Sequence, residues 1–489
     1  MKATTPSTFI LAVLSSLLPL TFPQTGFAAT ELTDVPANAP GVVWMMPFVA
    51  LLLVIALFPL IPAASRWWEH NKNKLLVALG VSAITLIYYA QRGYGFEIEG
   101  QVTAPGIETA LKVFEHSMLD YIPFIVLLFT LFVVSGGIRL SGDIAARPGT
   151  NTAFLGVGAV LASIIGTTGA SMLMIRPLLR TNQERKFKAH TVCFFIFLVS
   201  NIGGLLTPLG DPPLFLGYLK GVPFSWPILH LWHAWIFMLL CVMAVYFVWD
   251  SILYKRESIK DITRDNRRIE PLLLHGKINL LWLAAVIFCT AAIDPDRQFL
   301  GTSWQPFLFA RELALLVIAG LSLYTTVRQE RELNQFTFGP IIEVACLFVG
   351  IFITMQIPIE ILRLAGPALG LTQSWQYFWA SGILSSFLDN APTYVVFFET
   401  AGALPVSGDV LNGVMTATHS ISLPLLVAVS CGSVFMGANS YIGNGPNFMV
   451  KSIAESSGVK MPTFFGYMFI YSIPVLIPLF LIFTFAVLG

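Results

Sequence analysis

Long apolar runs separated by short polar connections recur along this chain. Most approach the ~20 residues that a helix needs to cross a ~30 Å hydrocarbon core. Crossings are expected near 41–64, 74–91, 117–140, 189–220, 226–250, 278–293, 309–326, 338–364, 413–455 and 463–488. Two further apolar stretches, about 150–180 and 375–405, are broken by polar and helix-breaking residues and suit re-entrant hairpins better than clean crossings.

Composition places most of the chain in lipid. Only 11% of the 489 residues are charged and 56% are hydrophobic, where soluble domains carry about 25% charge; mean hydropathy is +0.75. The expected fold class is an all-α polytopic membrane protein whose principal partner is the lipid bilayer. A net charge of +1 offers no basic face for nucleic acid. The cysteines Cys193, Cys241, Cys289, Cys346 and Cys431 lie in or beside apolar runs, with no CxxC pair, and read as small core residues.

Residues 1–29 have the layout of a secretory signal peptide: Lys2, a short apolar stretch from Phe9 to Leu20, then small residues from Gly26 to Ala29. An uncleaved first helix is the alternative, which Pro19 and Pro23 disfavour. Starting from outside, the expected cytoplasmic segments 65–74, 139–150, 180–188, 250–277, 327–337 and 451–462 hold 20 of the 28 Lys and Arg residues. The outer segments and helix ends hold six, and Lys2 and Arg176 make up the rest. That bias obeys the positive-inside rule. It implies a multi-pass protein of the cell inner (plasma) membrane with both termini outside the cytoplasm.

The longest hydrophilic stretch, 251–277, divides five crossings from five. An odd number of crossings per half makes the second half enter from the opposite side, as in an inverted repeat. The expected organisation is a signal peptide (1–29), a first repeat (30–250), a cytoplasmic linker (251–277) and a second repeat (278–489). Each half carries one re-entrant hairpin and one broken transmembrane helix. The halves align weakly at two places: Ser163–Ser171 with Ser385–Thr393, and Thr207–Pro213 with Ser440–Pro446.

The second pair contains the helix breaks. Gly210-Asp211-Pro212-Pro213 and Gly443-Asn444-Gly445-Pro446 combine residues that lack an amide donor with residues of poor helical preference. Carbonyls and amides freed by such breaks find no partner in lipid, so the breaks are expected to face protein or a water-filled cavity. Half-helix ends there offer carbonyls to a cation or amides to an anion. Simple proline kinks are the alternative.

Buried acids are costly in a membrane and mark ion or proton paths. Asp211 and Asp389 each sit in a helix-breaking motif, one per half. Both are candidate ligands for a sodium-like cation that competes with a proton, since burial favours the protonated form and a bound cation the ionised one. Asn390, Asn444, Asn447, Thr167, Thr168, Ser171, Thr207, Thr393 and Ser440 can add neutral oxygen ligands, the kind that hard cations take. Each acid also has a capping role open to it. Glu343 and Asp120 read as interfacial or structural. Arg176 can neutralise a carboxylate, bind an anion or simply snorkel. His230 and His233 sit beside Trp226, Trp232 and Trp235 and read as interfacial.

The segments Gly166–Arg180, Ser200–Phe224, Leu388–Phe398 and Gly437–Val450 together resemble the ion transporter superfamily, over about residues 40–489. Leu388-Asp389-Asn390-Ala391-Pro392-Thr393 is similar to the Asp-Asn-x-Pro hairpin of its bacterial sodium/proton antiporter branch. Its citrate and dicarboxylate carriers use paired Ser-Asn-Thr hairpin tips, and neither tip here is intact. The resemblance implies a secondary transporter, first a sodium(cation)/proton antiporter and alternatively a sodium- or proton-coupled carrier of citrate, a dicarboxylate or another small anion. It also implies a homodimer. No Gly-x-Ser-x-Gly, His-Glu-x-x-His or Gly-x-Asp presenilin-like motif occurs. Neither enzymatic activity nor a cofactor is therefore expected, beyond sodium and protons as transported or coupling ions.

Overall fold

The computed structural model describes residues 40–488 apart from 99–100, 268, 296–297, 300–301, 304, 366–369, 405–412 and 417–419. The expected signal segment lies outside the described residues. The principal helices are α1 (Met46–Leu57), α2 (Asn71–Gln91), α3 (Ile107–Gly136), α4 (Pro148–Ile165), α5 (Thr167–Thr181), α6 (Ala189–Leu198), α7 (Pro212–Leu219), α8 (Trp232–Tyr254) and α9 (Ile278–Ala292). They continue with α10 (Ala310–Thr325), α11 (Gly339–Thr354), α12 (Gln356–Ala365), α13 (Ser374–Ser385), α14 (Asn390–Gly402), α15 (Leu423–Met436), α16 (Gly445–Ser456) and α17 (Ile473–Phe483).

Among the described residues, seven helical segments are long and apolar enough to cross a membrane: α2, α3, α4, α8, Ala189–Leu206, Gly339–Leu364 and Phe464–Leu488. All but α4 coincide with expected crossings. Three shorter apolar helices, Val42–Ile55, Ile278–Ala292 and Leu423–Asn439, occupy three more. The remaining expected crossing is α10, 16 residues long with Arg311 and Glu312 in its first turn. The protein is an all-α polytopic membrane protein. The unanticipated member is α4, the first arm of the expected hairpin, which runs 18 residues. Nothing between Pro148 and Ile165 stops it until Gly166, at φ +81°, turns the chain into α5.

A few short strand pairs interrupt the helical pattern. The relevant one joins β1 (Arg139–Asp143) to β2 (Glu270–His275), antiparallel with Ser141 opposite Leu273. The stretch read as a plain hydrophilic linker thus pairs its backbone groups with the chain leaving α3, which satisfies them outside any helix.

Ion pairs and rings give the relative directions. Lys74 near the start of α2 meets Glu343 near the start of α11 at 2.6 Å, and Arg92 after the end of α2 meets Glu360 on α12 at 2.7 Å. The two helical segments are therefore parallel. Helix α3 runs antiparallel to α11, with Phe124 stacked on Phe348 and Phe129 on Phe338.

The centre is built from α6 and α15. Every residue from Val192 to Val199 is 0 or 1% exposed. In the span Ala189–Leu206, 89% of the residues are buried, against 28% in the apolar window of α8. A helix that is apolar all round and has no lipid face belongs in the core. Small residues let its neighbours approach: a Cβ at Gly203 would lie 2.6 Å from the Ala159 carbonyl oxygen. Such close backbone packing is typical of membrane helices.

Candidate functional site

The two breaks have the same local construction. After α6 the chain makes a 3-10 turn (Ile202–Leu206), becomes extended at Thr207 and starts α7 at Pro212. After α15 it makes a 3-10 turn (Gly437–Asn439), becomes extended at Ser440 and starts α16 at Gly445. In each, one hydroxyl replaces the missing helical partners. Thr207 Oγ1 accepts from the Leu209 amide at 3.2 Å; Ser440 Oγ accepts from Ile442 and Gly443 at 3.2 and 3.1 Å.

Those hydroxyls also sew each break to a hairpin tip. Thr207 donates to the Ser163 carbonyl and Ser440 to the Ser386 carbonyl. In return, Ser163 donates to the Gly203 carbonyl, and Ser386 to the Met436 carbonyl at 3.1 Å. The equivalent bonds thus relate Ser163 to Ser386, one residue along from the sequence pairing with Ser385. That register sets Thr167 against Asn390 and Gly166 against Asp389.

Thr167 and Asn390 converge on one carboxylate. Asp211 is 1% exposed. It accepts from Thr167 Oγ1 at 2.9 Å, from Asn390 Nδ2, and from Asn444 Nδ2 at 3.2 Å. Although Asp211 occupies the cap position of α7, its side chain makes no capping bond. The acid is therefore held by both hairpin tips and the opposite break rather than by its own helix. The capping role falls to Asp389, whose Oδ1 accepts from the Ala391 amide at 3.1 Å.

The remaining candidates divide between bracing and lining. Asn447 donates to the Gly437 and Ser440 carbonyls at 2.8 and 2.9 Å, holding the second break. Thr393 donates back to the Asp389 carbonyl at 3.0 Å. Ser171 and Ser200 share a hydroxyl bond of 2.9 Å. Thr168 and Asp389 are partly exposed on the central cavity. Asp211 is not among the cavity-lining residues; it lies behind Thr167 and Asn444. Among the described residues, no group of three or more His, Cys, Asp or Glu is placed to hold a metal ion.

One central residue escaped the sequence reading. Asn201 donates to Asn447 Oδ1 at 2.8 Å and accepts from Asn444 at 3.3 Å, tying the first break to the second. Its signal was present as an amide inside an otherwise apolar run, just before Gly203-Gly204. Lys74, buried against Glu343, was missed too. From the closing span, Tyr467 and Ser472 donate to the Ala438 and Asn439 carbonyls at 2.8 and 2.7 Å, bracing the 3-10 turn that follows α15.

The cavity has a volume of about 450 Å³, within the ~300–1,000 Å³ of small-molecule clefts. The N-terminal ends of α5, α7, α14 and α16 reach it through Thr167, Pro212, Asp389 and Asn444. Such ends carry partial positive charge. The chain just before each of these ends contributes apolar Ile165, Leu209, Leu388 and Ile442. Its lining includes the carboxylates of Asp389 and Glu343 and, among the described residues, no Lys or Arg. From the breaks the cavity extends toward Pro59, Trp68 and Glu343. The opposite end of the bundle, where Lys220 and Arg363 lie 3.0 and 3.7 Å from Glu399, contributes nothing to it.

Other candidates lie away from the cavity. Arg176 donates to Gln335 at 3.0 Å. Asp120 is a partly buried residue of α3 whose charge is felt by Lys220. His230 stacks on Trp226 with ring centroids 5.3 Å apart. All five cysteines are free thiols. No curated protein matches the chain. A family model described as "Putative citrate transport" matches residues 37–488, nearly the whole of the polytopic bundle and both breaks, and the chain belongs to that family of membrane transporters.

Proposed function

We propose that this protein is a sodium- or proton-coupled secondary carrier of a citrate-class carboxylate. The family match over residues 37–488 carries the reading, and the cavity geometry agrees with it. The partial positive charge of the four helix N-terminal ends and the Thr168 hydroxyl favour an anion there. Among the described residues the lining has no side-chain cation to balance a polycarboxylate and adds the Asp389 carboxylate, while that of Glu343 is paired with Lys74. The anion is therefore carried with its charge compensated, by protons or by cations bound between it and Asp389. In this reading Asp211 is the buried carboxylate that joins the tips and breaks into one unit, and its ionisation couples to the load.

The architecture proposed with it is an inverted repeat of 30–250 and 278–489 around the linker 251–277. The matched hydroxyl stitching at Thr207 and Ser440 and the antiparallel α3 and α11 support it. With the basic ends of the bundle inside, the cavity faces the cytoplasm.

A second reading, cation/proton antiport without an organic substrate, is favoured by the acid-only lining. Purified protein in proteoliposomes separates the two. Labelled citrate accumulating under an imposed sodium or pH gradient supports the carrier. Sodium-driven proton movement with no carboxylate present, together with no citrate uptake, overturns it in favour of antiport.

A further inference from the structure

The end of the bundle that carries Glu343 holds a second, smaller cavity of about 140 Å³, between β1, α5 and the turn at Leu333 and Asn334. Three arginines line it: Arg139 from β1, and Arg176 and Arg180 from successive turns of α5. Two are neutralised, Arg139 by Glu330 at 2.6 Å and Arg180 by Glu270 at 2.8 Å. Arg176 is not. One of its terminal nitrogens donates to the neutral Gln335 amide at 3.0 Å, while the other is buried with no partner. Of the three guanidinium groups, Arg176 is the one without a carboxylate beside it among the described residues, and it presents a buried donor with no acceptor there.

A buried charged donor without an acceptor is costly, so the site gains by taking in an anion. Size narrows the class. At ~30 Å³ per water the cavity has room for roughly four or five waters, below the ~300 Å³ of ordinary ligand clefts. That is the scale of a single oxyanion head, and the planar guanidinium fork matches phosphate. The neighbouring surface favours a particular source. Strand β2 exposes Leu272 (40%) and Leu273 (55%) beside the Arg180–Glu270 pair. An apolar strip adjoining a basic pocket fits the boundary between acyl chains and headgroups, where basic pockets between helices take anionic lipids.

We propose that the Arg139–Arg176–Arg180 pocket binds the phosphate group of an anionic membrane lipid, bridging α5 to the 328–335 segment. Bound there, the phosphate fixes the C-terminal end of α5, and a free phosphate ion satisfies the same chemistry without the acyl contact.

The test uses the purified full chain in detergent. Native mass spectrometry compares retention of phosphatidylglycerol with phosphatidylcholine, and a separate arm measures the melting shift on adding inorganic phosphate against chloride. Arg176→Gln, Arg176→Lys and the control Arg328→Gln are compared with wild type; Arg328 is a surface residue paired with Glu332. Wild type is expected to retain phosphatidylglycerol preferentially, with about a fivefold loss in Arg176→Gln, partial recovery in Arg176→Lys and none lost in Arg328→Gln. A phosphate-dependent shift lost in Arg176→Gln, with equal retention of the two lipids, upholds the site and assigns it to free phosphate. Equal lipid retention with no phosphate effect in wild type overturns the proposal, whether or not the variants fold. So does an equal loss in Arg176→Gln and Arg328→Gln.

Discussion

Asn444 Nδ2 lies 3.2 Å from Asp211 Oδ1, so an amide from the second broken helix closes on a carboxylate in the first. The two residues are 233 positions apart. They occupy equivalent places, each at the cap position of the half-helix that follows its break. One position carries the charge and the other donates to it. The unit at the centre of the transporter is therefore asymmetric in charge.

Asp211→Asn is expected to reduce coupled transport to background. The amide that replaces the carboxylate keeps one acceptor oxygen and puts an NH2 in place of the other, so at least one of Thr167, Asn390 and Asn444, which are already donating, then faces a donor. Losing a charge-assisted bond of this kind costs about 1.5–3 kcal/mol, so a lower melting temperature in detergent should accompany the lost flux. Wild-type flux in reconstituted vesicles would remove Asp211 from the coupling.

Asp389→Asn should separate folding from coupling. Asparagine caps a helix about as well as aspartate, so the bond to the Ala391 amide survives and melting should change by only a few tenths of a kcal/mol. What disappears is the ionisable group facing the cavity. Gradient-driven uptake is expected to fall steeply with expression and melting intact, and uptake insensitive to this change would show that the load does not depend on the charge.

Backbone closeness at the breaks predicts a contrast among glycines. A Cβ at Gly443 would lie 2.5 Å from the Gly437 carbonyl oxygen and 2.7 Å from that of Ser385, and at Gly210 it would fall on the Gly204 carbonyl. Gly445 has nothing within 4 Å. Gly210→Ala and Gly443→Ala should each lose activity and folded yield, because overpacking costs about 1–3 kcal/mol or more where backbone has to move. Gly445→Ala should match wild type in size-exclusion profile and melting.

The Lys74–Glu343 pair suits a double-mutant cycle. The Lys74 side chain is 5% exposed and that of Glu343 is 45%. Removing the carboxylate strands a buried ammonium, whereas removing both leaves none. Glu343→Gln is expected to destabilise by about 1–2 kcal/mol, moderated by the solvent around Glu343. Adding Lys74→Met should recover most of that loss. Additive melting shifts would show that the two side chains do not interact.

Asp143, in β1 outside the spans, has its carboxyl pushed up to about 6 by burial, with Glu184 adding to the effect and Arg180 opposing it. The folded state thus holds this proton more tightly than the unfolded chain, whose carboxyl titrates near 3.8. Stability from this group is present below about pH 4 and declines as pH rises through 6. Asp143→Asn should melt above wild type at pH 8 and converge with it near pH 4. A gap of the same size at both pH values would show that the effect is not titration.

The sequence by itself determined where the chain meets lipid, where it breaks and which residue types gather at the breaks. Those features follow from local costs: run length against bilayer thickness, and proline and glycine against helical hydrogen bonding. Hence the tight fit between most expected crossings and the helices, and the presence of Asp211, Asn390, Asn444 and Thr167 in one cluster. What joins those residues was decided only in three dimensions. The Asn390–Asp211 bond spans 179 positions and the Asn201–Asn447 bond 246, and no periodicity along the chain carries such pairings. Tertiary packing also decided that Asp389 caps and lines the cavity while Asp211 is enclosed, that Ser163 answers to Ser386, and that Arg176 points into a separate basic pocket. Each of these depends on which donor lies opposite which acceptor once the helices close, and side chains of one chemical type are interchangeable until that geometry exists.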